Sequence, residues 1–163
     1  MVPELSGPDT SHVLSPRVLY HDHHFWIYYN SYASGVYPLG LAISRDGINF
    51  TKKGLVMVCG ASGDTDDYNV YTGCQVFMRH GYFHMLYAAN DGTSYRNHVA
   101  ISKDGINFTR KGHTGLSAAG DSDGSHAYYP TGIFIDHKFS FYYPGNNGSQ
   151  VMPILRTMDE FIV

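Results

Sequence analysis

One motif occurs twice in this chain. The segment LAISRDGINFTKKG spans Leu41–Gly54, and a shift of 58 residues carries it onto VAISKDGINFTRKG at Val99–Gly112. The same shift aligns the aromatic segments that precede the motif, HFWIYY with YFHMLY. A shift of 114 residues, which carries Asp22 onto Asp136, aligns DHHFWIYY with DHKFSFYY. The chain therefore contains three units of about 57 residues, and a strand-rich repeat of this period is typical of propellers and solenoids.

Each unit contains short segments with the pattern of β-strands. In the first unit, we predict strands at Val13–Tyr20, Phe25–Ser31 and Leu39–Arg45, and a fourth strand that begins at Phe50 after an Asp-Gly turn. Both faces of the second strand are apolar, as expected for a sheet packed between two other sheets. No segment has a sustained helical period, so we predict an all-β propeller with three four-stranded antiparallel blades. The blades are expected at approximately residues 8–57, 66–114 and 123–163.

Composition excludes several classes of function. The net charge of −3, with 15% charged residues, provides no basic surface for nucleic acid. No apolar run reaches the roughly 18 to 20 residues of a membrane span, and the N-terminal segment lacks the pattern of an export signal. The two cysteines are too few for a disulfide scaffold and suit a reducing compartment. We therefore expect no nucleic-acid or membrane partner, and a localisation that is cytoplasmic or unknown. No cluster of residues in the sequence predicts a metal site or a cofactor.

The repeated motif resembles a known family of propellers. The pattern A-I-S-x-D-G-I-N-F-T-x-K-G after an aromatic strand is similar to the blades of the five-bladed propeller glycosidases, which include arabinanases, fructosidases and mannoside phosphorylases. The resemblance covers two blades well and the third loosely, because LRTMDEF at Leu155–Phe161 keeps only an acidic turn and the phenylalanine. It implies a glycoside-hydrolase-like protein that acts on or binds a carbohydrate. The motif itself lies at the rim of a blade, so it indicates the fold and not the reaction.

Ligands of a propeller bind at one end of its axis, near the start of each innermost strand. The segments before these strands are Ser6–Val18, Ala61–Val76 and Ala118–Ile133, and each contains at least one aspartate. Carboxylates accept hydrogen bonds from hydroxyl groups, and aromatic rings cover the apolar face of a sugar. The alternative is that these polar residues cap loops by bonding their own backbone. The predicted substrate-binding residues are His12, Arg17, Asp66, Tyr71, Gln75, Asp121, His126, Tyr128 and Tyr129.

The resemblance also implies catalytic residues. Propeller glycosidases use an Asp base or nucleophile in the first blade, a second Asp that tunes it, and a Glu acid from a later blade. Asp9 corresponds to the first of these, and Asp67 or Asp123 corresponds to the second. These three aspartates are the candidate catalytic carboxylates. His12 and His126 are candidate proton donors near neutral pH.

The sequence provides no match for the expected glutamate. Its only glutamates are Glu4, in the N-terminal segment, and Glu160, in the rim turn of the third blade. Acid-base cleavage of a glycoside needs two carboxyl groups held roughly 5 to 10 Å apart. Two hypotheses therefore remain open, a glycoside hydrolase and a non-catalytic lectin-like or assembly module.

Three blades do not close a ring, and an open set exposes two apolar blade faces. MVPELSG at Met1–Gly7 aligns with MVCGASG at Met57–Gly63, so the chain begins where the outer strand of a blade finishes. It ends in DEFIV, where that strand begins. The positions in the repeat at which the chain begins and ends predict a homodimer in which two copies form six blades around one axis. The alternative is that the chain is a fragment of a longer five-bladed enzyme.

Overall fold

The structure, a computed structural model, describes residues 12–32, 35–114, 126–127, 129–135, 138–146 and 151–158. Every secondary-structure element in these ranges is a β-strand, which confirms the predicted all-β class. No membrane-crossing helix is present in the same ranges.

The first blade is a four-stranded antiparallel sheet in sequence order. Its inner pair is joined by a two-residue turn at Asp22 and His23, where both residues have positive φ angles, 47° and 58°. Such a turn matches the twist of the two strands it connects. The strands are β1 (Val13–His21), β2 (His24–Ser31), β3 (Leu39–Ser44) and β4 (Thr51–Met57).

The second blade repeats this arrangement with β5 (Asn69–Arg79), β6 (Tyr82–Asn90), β7 (Tyr95–Ser102) and β8 (Thr109–His113). Both innermost strands contain a register break at the same place. The break lies between Leu14 and Arg17 in β1 and between Tyr71 and Gln75 in β5. The 58-residue shift carries Arg17 onto Gln75, so the bulge belongs to the repeat. Bulges re-aim side chains near the end of a sheet, which is where a propeller binds its ligand.

The third repeat contains β9 (His126–Ala127), β10 (Thr131–Ile135), β11 (Lys138–Asn146) and β12 (Val151–Met158). The last three strands form an antiparallel sheet in sequence order. β9 pairs with β11 in antiparallel fashion and with β7 in parallel fashion. It thereby joins the second and third blades into one continuous sheet, a connection that the repeat pattern did not predict.

The three innermost strands lie side by side, with β5 in contact with both β1 and β10. The first two blades pack face to face around Tyr28, Leu41, Val76, Met85 and Tyr87, all of which are buried. This packing places the starts of the innermost strands at one common end of the molecule, as a propeller requires.

The repeated motif forms the same hydrogen-bonded turn in both blades. Ser44 Oγ donates to Asp46 Oδ1 at 2.8 Å, and Asp46 Oδ1 accepts the backbone N–H of Asn49 at 2.7 Å. Ser102 and Asp104 make the equivalent bonds. The backbone N–H of the motif asparagine is the main reason that the pKa of each aspartate lies well below its usual range. The motif therefore stabilises a turn, which explains why a short chain contains it twice.

Candidate functional site

Aromatic side chains line the end of the blades where the innermost strands begin. His12 and Tyr32 are stacked, with ring centroids 4.8 Å apart, and Tyr32 lies 4.9 Å from Tyr37. Tyr37 of the first blade stacks on Tyr71 of the second blade, again at 4.8 Å. Ring contacts therefore pass from one blade to the next without interruption.

The contacts continue to the third repeat. The Tyr71 ring meets the Tyr95 ring at 5.5 Å, and Tyr95 meets His126 at 5.6 Å. His12 is exposed and the other rings are partly buried, so parts of their surfaces are open to solvent. We call this set the aromatic row: His12, Tyr32, Tyr37, Tyr71, Tyr95 and His126.

Backbone contacts between neighbouring repeats hold the row in place. The Asn30 side-chain amide donates to the carbonyl of Tyr37 at 3.0 Å and to that of Val70 at 3.1 Å. Because Asn30 is fully buried, this bridge fixes Tyr37 of the first blade next to the start of β5. At the other end, His126 Nδ1 accepts the backbone N–H of Tyr95 at 3.3 Å. That acceptor role leaves Nε2 as the donor nitrogen of the ring.

The Tyr71 phenol has a raised pKa. Burial raises its pKa above the ordinary value of a tyrosine, and a hydrogen bond with Tyr95 raises it further. The nearby phenols of Tyr37 and Tyr129 act in the same direction. Tyr71 therefore stays neutral at all physiological pH values and keeps a hydroxyl group that can donate and accept hydrogen bonds.

Four of the predicted substrate-binding residues lie in or beside the row. His12, Tyr71 and His126 belong to it, and Tyr129 is close enough to Tyr71 to affect its pKa. Tyr129 is 53% exposed and has a φ angle of 51°. The aromatic part of the prediction therefore converges on one place in the structure.

Gln75 and Arg17, two further predicted substrate-binding residues, make contacts with residues outside the aromatic row. Gln75 Oε1 accepts hydrogen bonds from Thr131 Oγ1, at 3.1 Å, and from the backbone N–H of Gly132. It links the innermost strands of the second and third repeats. Arg17 is exposed, and its guanidinium donates to the carbonyl of Pro16 at 3.1 Å.

Asp66 lies away from the row, in an ion pair whose Arg110 side is partly exposed. Its side chain is almost fully buried; Arg110 Nε donates to its Oδ2 at 2.7 Å, and the Tyr87 hydroxyl donates to the same oxygen at 3.0 Å. Arg110 also donates to the carbonyl of Val58, so the cluster connects the end of the first blade to β8. Desolvation is the main reason that the pKa of Tyr87 is raised. The Asp66 carboxylate is thus hydrogen-bonded to side chains of its own chain.

A cleft of about 290 Å³ borders this ion pair. His98 lies in its wall, with Nε2 2.9 Å from Thr65 Oγ1 and Nδ1 2.9 Å from the Arg96 carbonyl. Burial lowers the pKa of His98. The cleft therefore consists of groups that already have hydrogen-bond partners within the chain.

Asp67 caps a loop. Its Oδ2 accepts the backbone N–H of Gly63 at 2.7 Å, and Asp64 Oδ2 accepts that of Ala61 at 3.0 Å. These bonds favour the loop-capping interpretation of the aspartates in this segment. The other predicted site residues, Asp9, Asp121, Asp123 and Tyr128, lie outside the described residues.

No group of three His, Cys, Asp or Glu side chains that could hold a metal ion occurs in the described part of the chain. The aromatic row has phenol and imidazole groups that donate and accept hydrogen bonds, together with apolar ring faces. Such a lining is suited to neutral, hydroxyl-rich ligands.

Sequence reasoning missed three members of the row, Tyr32, Tyr37 and Tyr95. A signal for two of them was present, since the 58-residue shift carries Tyr37 onto Tyr95. Tyr95 begins β7 and Tyr37 lies two residues before β3, so neither belongs to the segments that precede the innermost strands. Tyr32 has no aromatic counterpart at the same shift, because residue 90 is an asparagine.

Comparison with known proteins supports the fold. No family model matches the sequence. No curated protein matches it either. A family 117 glycoside hydrolase from the marine bacterium Zobellia galactanivorans superposes with a TM-score of 0.81 and 17% identity, over 95% of this chain and 55% of that chain.

Two further structures agree. Fructan 1-exohydrolase IIa from Cichorium intybus has a TM-score of 0.73 and 14% identity, over 93% of this chain and 30% of that chain. A glycosyl hydrolase from Bacteroides ovatus has a TM-score of 0.69 and 14% identity, over 90% of this chain and 49% of that chain. This chain spans about half the length, or less, of these structures. The chain therefore shares the β-propeller blade fold of these glycoside hydrolase structures, which is the fold that the motif resemblance predicts.

Proposed function

We propose that this chain binds a carbohydrate on the aromatic row. The observation that carries the proposal is the unbroken series of ring contacts from His12 to His126, across all three repeats. Aromatic faces cover the apolar side of a sugar ring, and the phenol and imidazole groups at their edges bond its hydroxyls. The row lies on loops and strand ends held by a rigid sheet, where binding residues are common.

The fold supports the same class of ligand. The structural neighbours named above are glycoside hydrolases and a fructan exohydrolase, and this chain shares their blade architecture. One fold hosts many functions, so the fold adds only weak support, and the chemistry of the row carries the ligand class.

Glycoside hydrolysis is the second candidate function. It depends on Asp9, Asp67 and Asp123, which the family resemblance implies as carboxylates of the reaction. Asp67 Oδ2 accepts the backbone N–H of Gly63 at 2.7 Å, so its carboxylate caps a loop, which weighs against a catalytic role at that position. The lectin-like alternative needs the row alone.

Binding is tested by titrating the protein with a panel of neutral oligosaccharides in a calorimeter. Tyr37→Ala and Tyr71→Ala each remove one ring of the inter-blade stack, so affinity for a bound sugar should fall about tenfold. Tyr82→Ala is the matched control, because Tyr82 begins β6 at the opposite end of the second blade and contacts Lys103. Equal affinities of Tyr71→Ala and Tyr82→Ala would place the sugar elsewhere.

Turnover separates the two candidate functions. Release of reducing sugar from a bound oligosaccharide is measured for the native chain and for Asp9→Asn, Asp67→Asn and Asp123→Asn. Hydrolysis that disappears in these variants while binding persists supports the hydrolase. Binding without turnover in the native chain supports the lectin-like protein.

A further inference from the structure

The two ends of the blade stack expose apolar side chains. On the first blade, Val18 is 61% exposed and Tyr20 is 59% exposed. On the third blade, Ile133 is 53% exposed and Tyr142 is 41% exposed. We call these surfaces the first-blade face and the third-blade face. Exposed apolar surfaces of this kind on a sheet are typical of interaction sites.

The first-blade face corresponds to a covered surface in the second blade. The 58-residue shift carries Val18 onto Val76, which is only 6% exposed and belongs to the core between the first two blades. The same shift carries Tyr20 onto Met78, which packs against that core. In the second blade, this surface is therefore buried by the blade that precedes it.

The third-blade face corresponds to the opposite surface of a blade. The 114-residue shift carries Leu19 onto Ile133 and Tyr28 onto Tyr142. Tyr28 is 0% exposed and Leu19 packs against the same core, where the first blade meets the second. In the first blade, this surface is therefore buried by the blade that follows it.

We propose that the first-blade face of one copy of this chain packs on the third-blade face of a second copy. The two faces are the two halves of the contact that the first and second blades already make within the chain. Each copy exposes one first-blade face and one third-blade face. Two copies related by a two-fold axis along the propeller axis therefore form this contact twice, which closes the ring. Six blades then surround one axis, and both aromatic rows lie at the same end of it.

The first test measures mass in solution by light scattering on a size-exclusion column. The native chain should have about twice the monomer mass of 18.2 kDa. The double variants Val18→Asp with Tyr20→Asp, and Ile133→Asp with Tyr142→Asp, should each have the monomer mass, because each charges one half of both contacts. Ile48→Asp is the matched control, since Ile48 is 64% exposed in the rim turn and should leave the dimer intact. Circular dichroism checks that every variant retains its strands.

The second test mixes the two double variants in equal amounts. Each variant has one native face, and the two native faces are complementary, so the mixture should recover the dimer mass through a single contact. A monomeric native chain would overturn the proposal, and so would oligomers that grow with concentration, because an open series of contacts does not close. A dimer that survives in either double variant, or a mixture that stays monomeric, would also overturn it.

Discussion

The turn of the second blade packs against the first blade, and a single methyl group should disturb that contact. Gly105 has a φ angle of 71°, and its carbonyl accepts the Tyr28 hydroxyl at 3.0 Å. A methyl group added at Gly105 would lie 2.9 Å from side-chain atoms of Phe83, Trp26 and Tyr28. These separations are shorter than van der Waals contact, so at least one of the aromatic rings must move.

The first blade provides a matched control in the same motif. Gly47 has a φ angle of 73°, and the nearest atom to an added methyl group, in the Phe25 ring, lies at 3.3 Å. Each alanine has a left-handed backbone, which costs about 1–2 kcal/mol. Overpacking adds about 1–3 kcal/mol at Gly105. The free energy of unfolding should therefore fall by about 2–5 kcal/mol in Gly105→Ala and by about 1–2 kcal/mol in Gly47→Ala.

The assay is urea unfolding at 25 °C with linear extrapolation, at one fixed protein concentration because an oligomer's stability depends on concentration. The two variants share the backbone cost and a contact with an equivalent ring, Phe25 or Phe83, of their own blade. Their difference therefore reports mainly the contacts of Gly105 with Trp26 and Tyr28 of the first blade. Equal losses in the two variants would refute the face-to-face packing of the first two blades around this turn.

Three further predictions concern polar side chains within the blades and between them. Asp66→Asn should lower the free energy of unfolding by about 1–3 kcal/mol, because Arg110 loses a charged acceptor; an unchanged urea midpoint would contradict this. Burial lowers the pKa values of His84 and His98, so the unfolded chain binds more protons. The free energy of unfolding should therefore decrease as pH falls below 6.5, the ordinary pKa of histidine. His98→Gln should make this decrease smaller. An unchanged pH dependence of stability in His98→Gln would show that His98 does not contribute to it. Gln75→Ala removes the acceptor shared by two donors of β10, so amide exchange should accelerate in β10 and not in β3; equal rates would show that the bridge is dispensable.

Strand positions of the first blade were predictable because the chain repeats. The predicted strand at Val13–Tyr20 is observed as Val13–His21, and the one at Phe25–Ser31 is observed as His24–Ser31. Two copies of each aromatic segment fix the phase of the strand pattern better than one copy does. In contrast, the two-residue strand at His126–Ala127 is too short to have a pattern, and its pairing with β7 depends on the tertiary structure.

The site was predictable only in part. Alignment of the innermost segments found His12, Tyr71 and His126, because residues at equivalent positions of a repeat lie at the same end of the axis. The partner of Asp66 lies 44 residues away, on an outer strand of the blade, so no local pattern connects Arg110 to it. A carboxylate that could bind a sugar or an arginine looks the same in sequence, and only the packing of the blades decides between them.

NMR of protein with ¹³C-labelled tyrosine rings tests whether the aromatic row binds a carbohydrate. Addition of an oligosaccharide that the calorimeter shows to bind should shift the ring signals of Tyr37, Tyr71 and Tyr95. The signals of Tyr82 and Tyr87, which lie outside the row, should stay in place. Shifts confined to Tyr87, beside the Asp66 cleft, or no shifts in the three row tyrosines at saturating sugar, would show that the row does not bind the sugar.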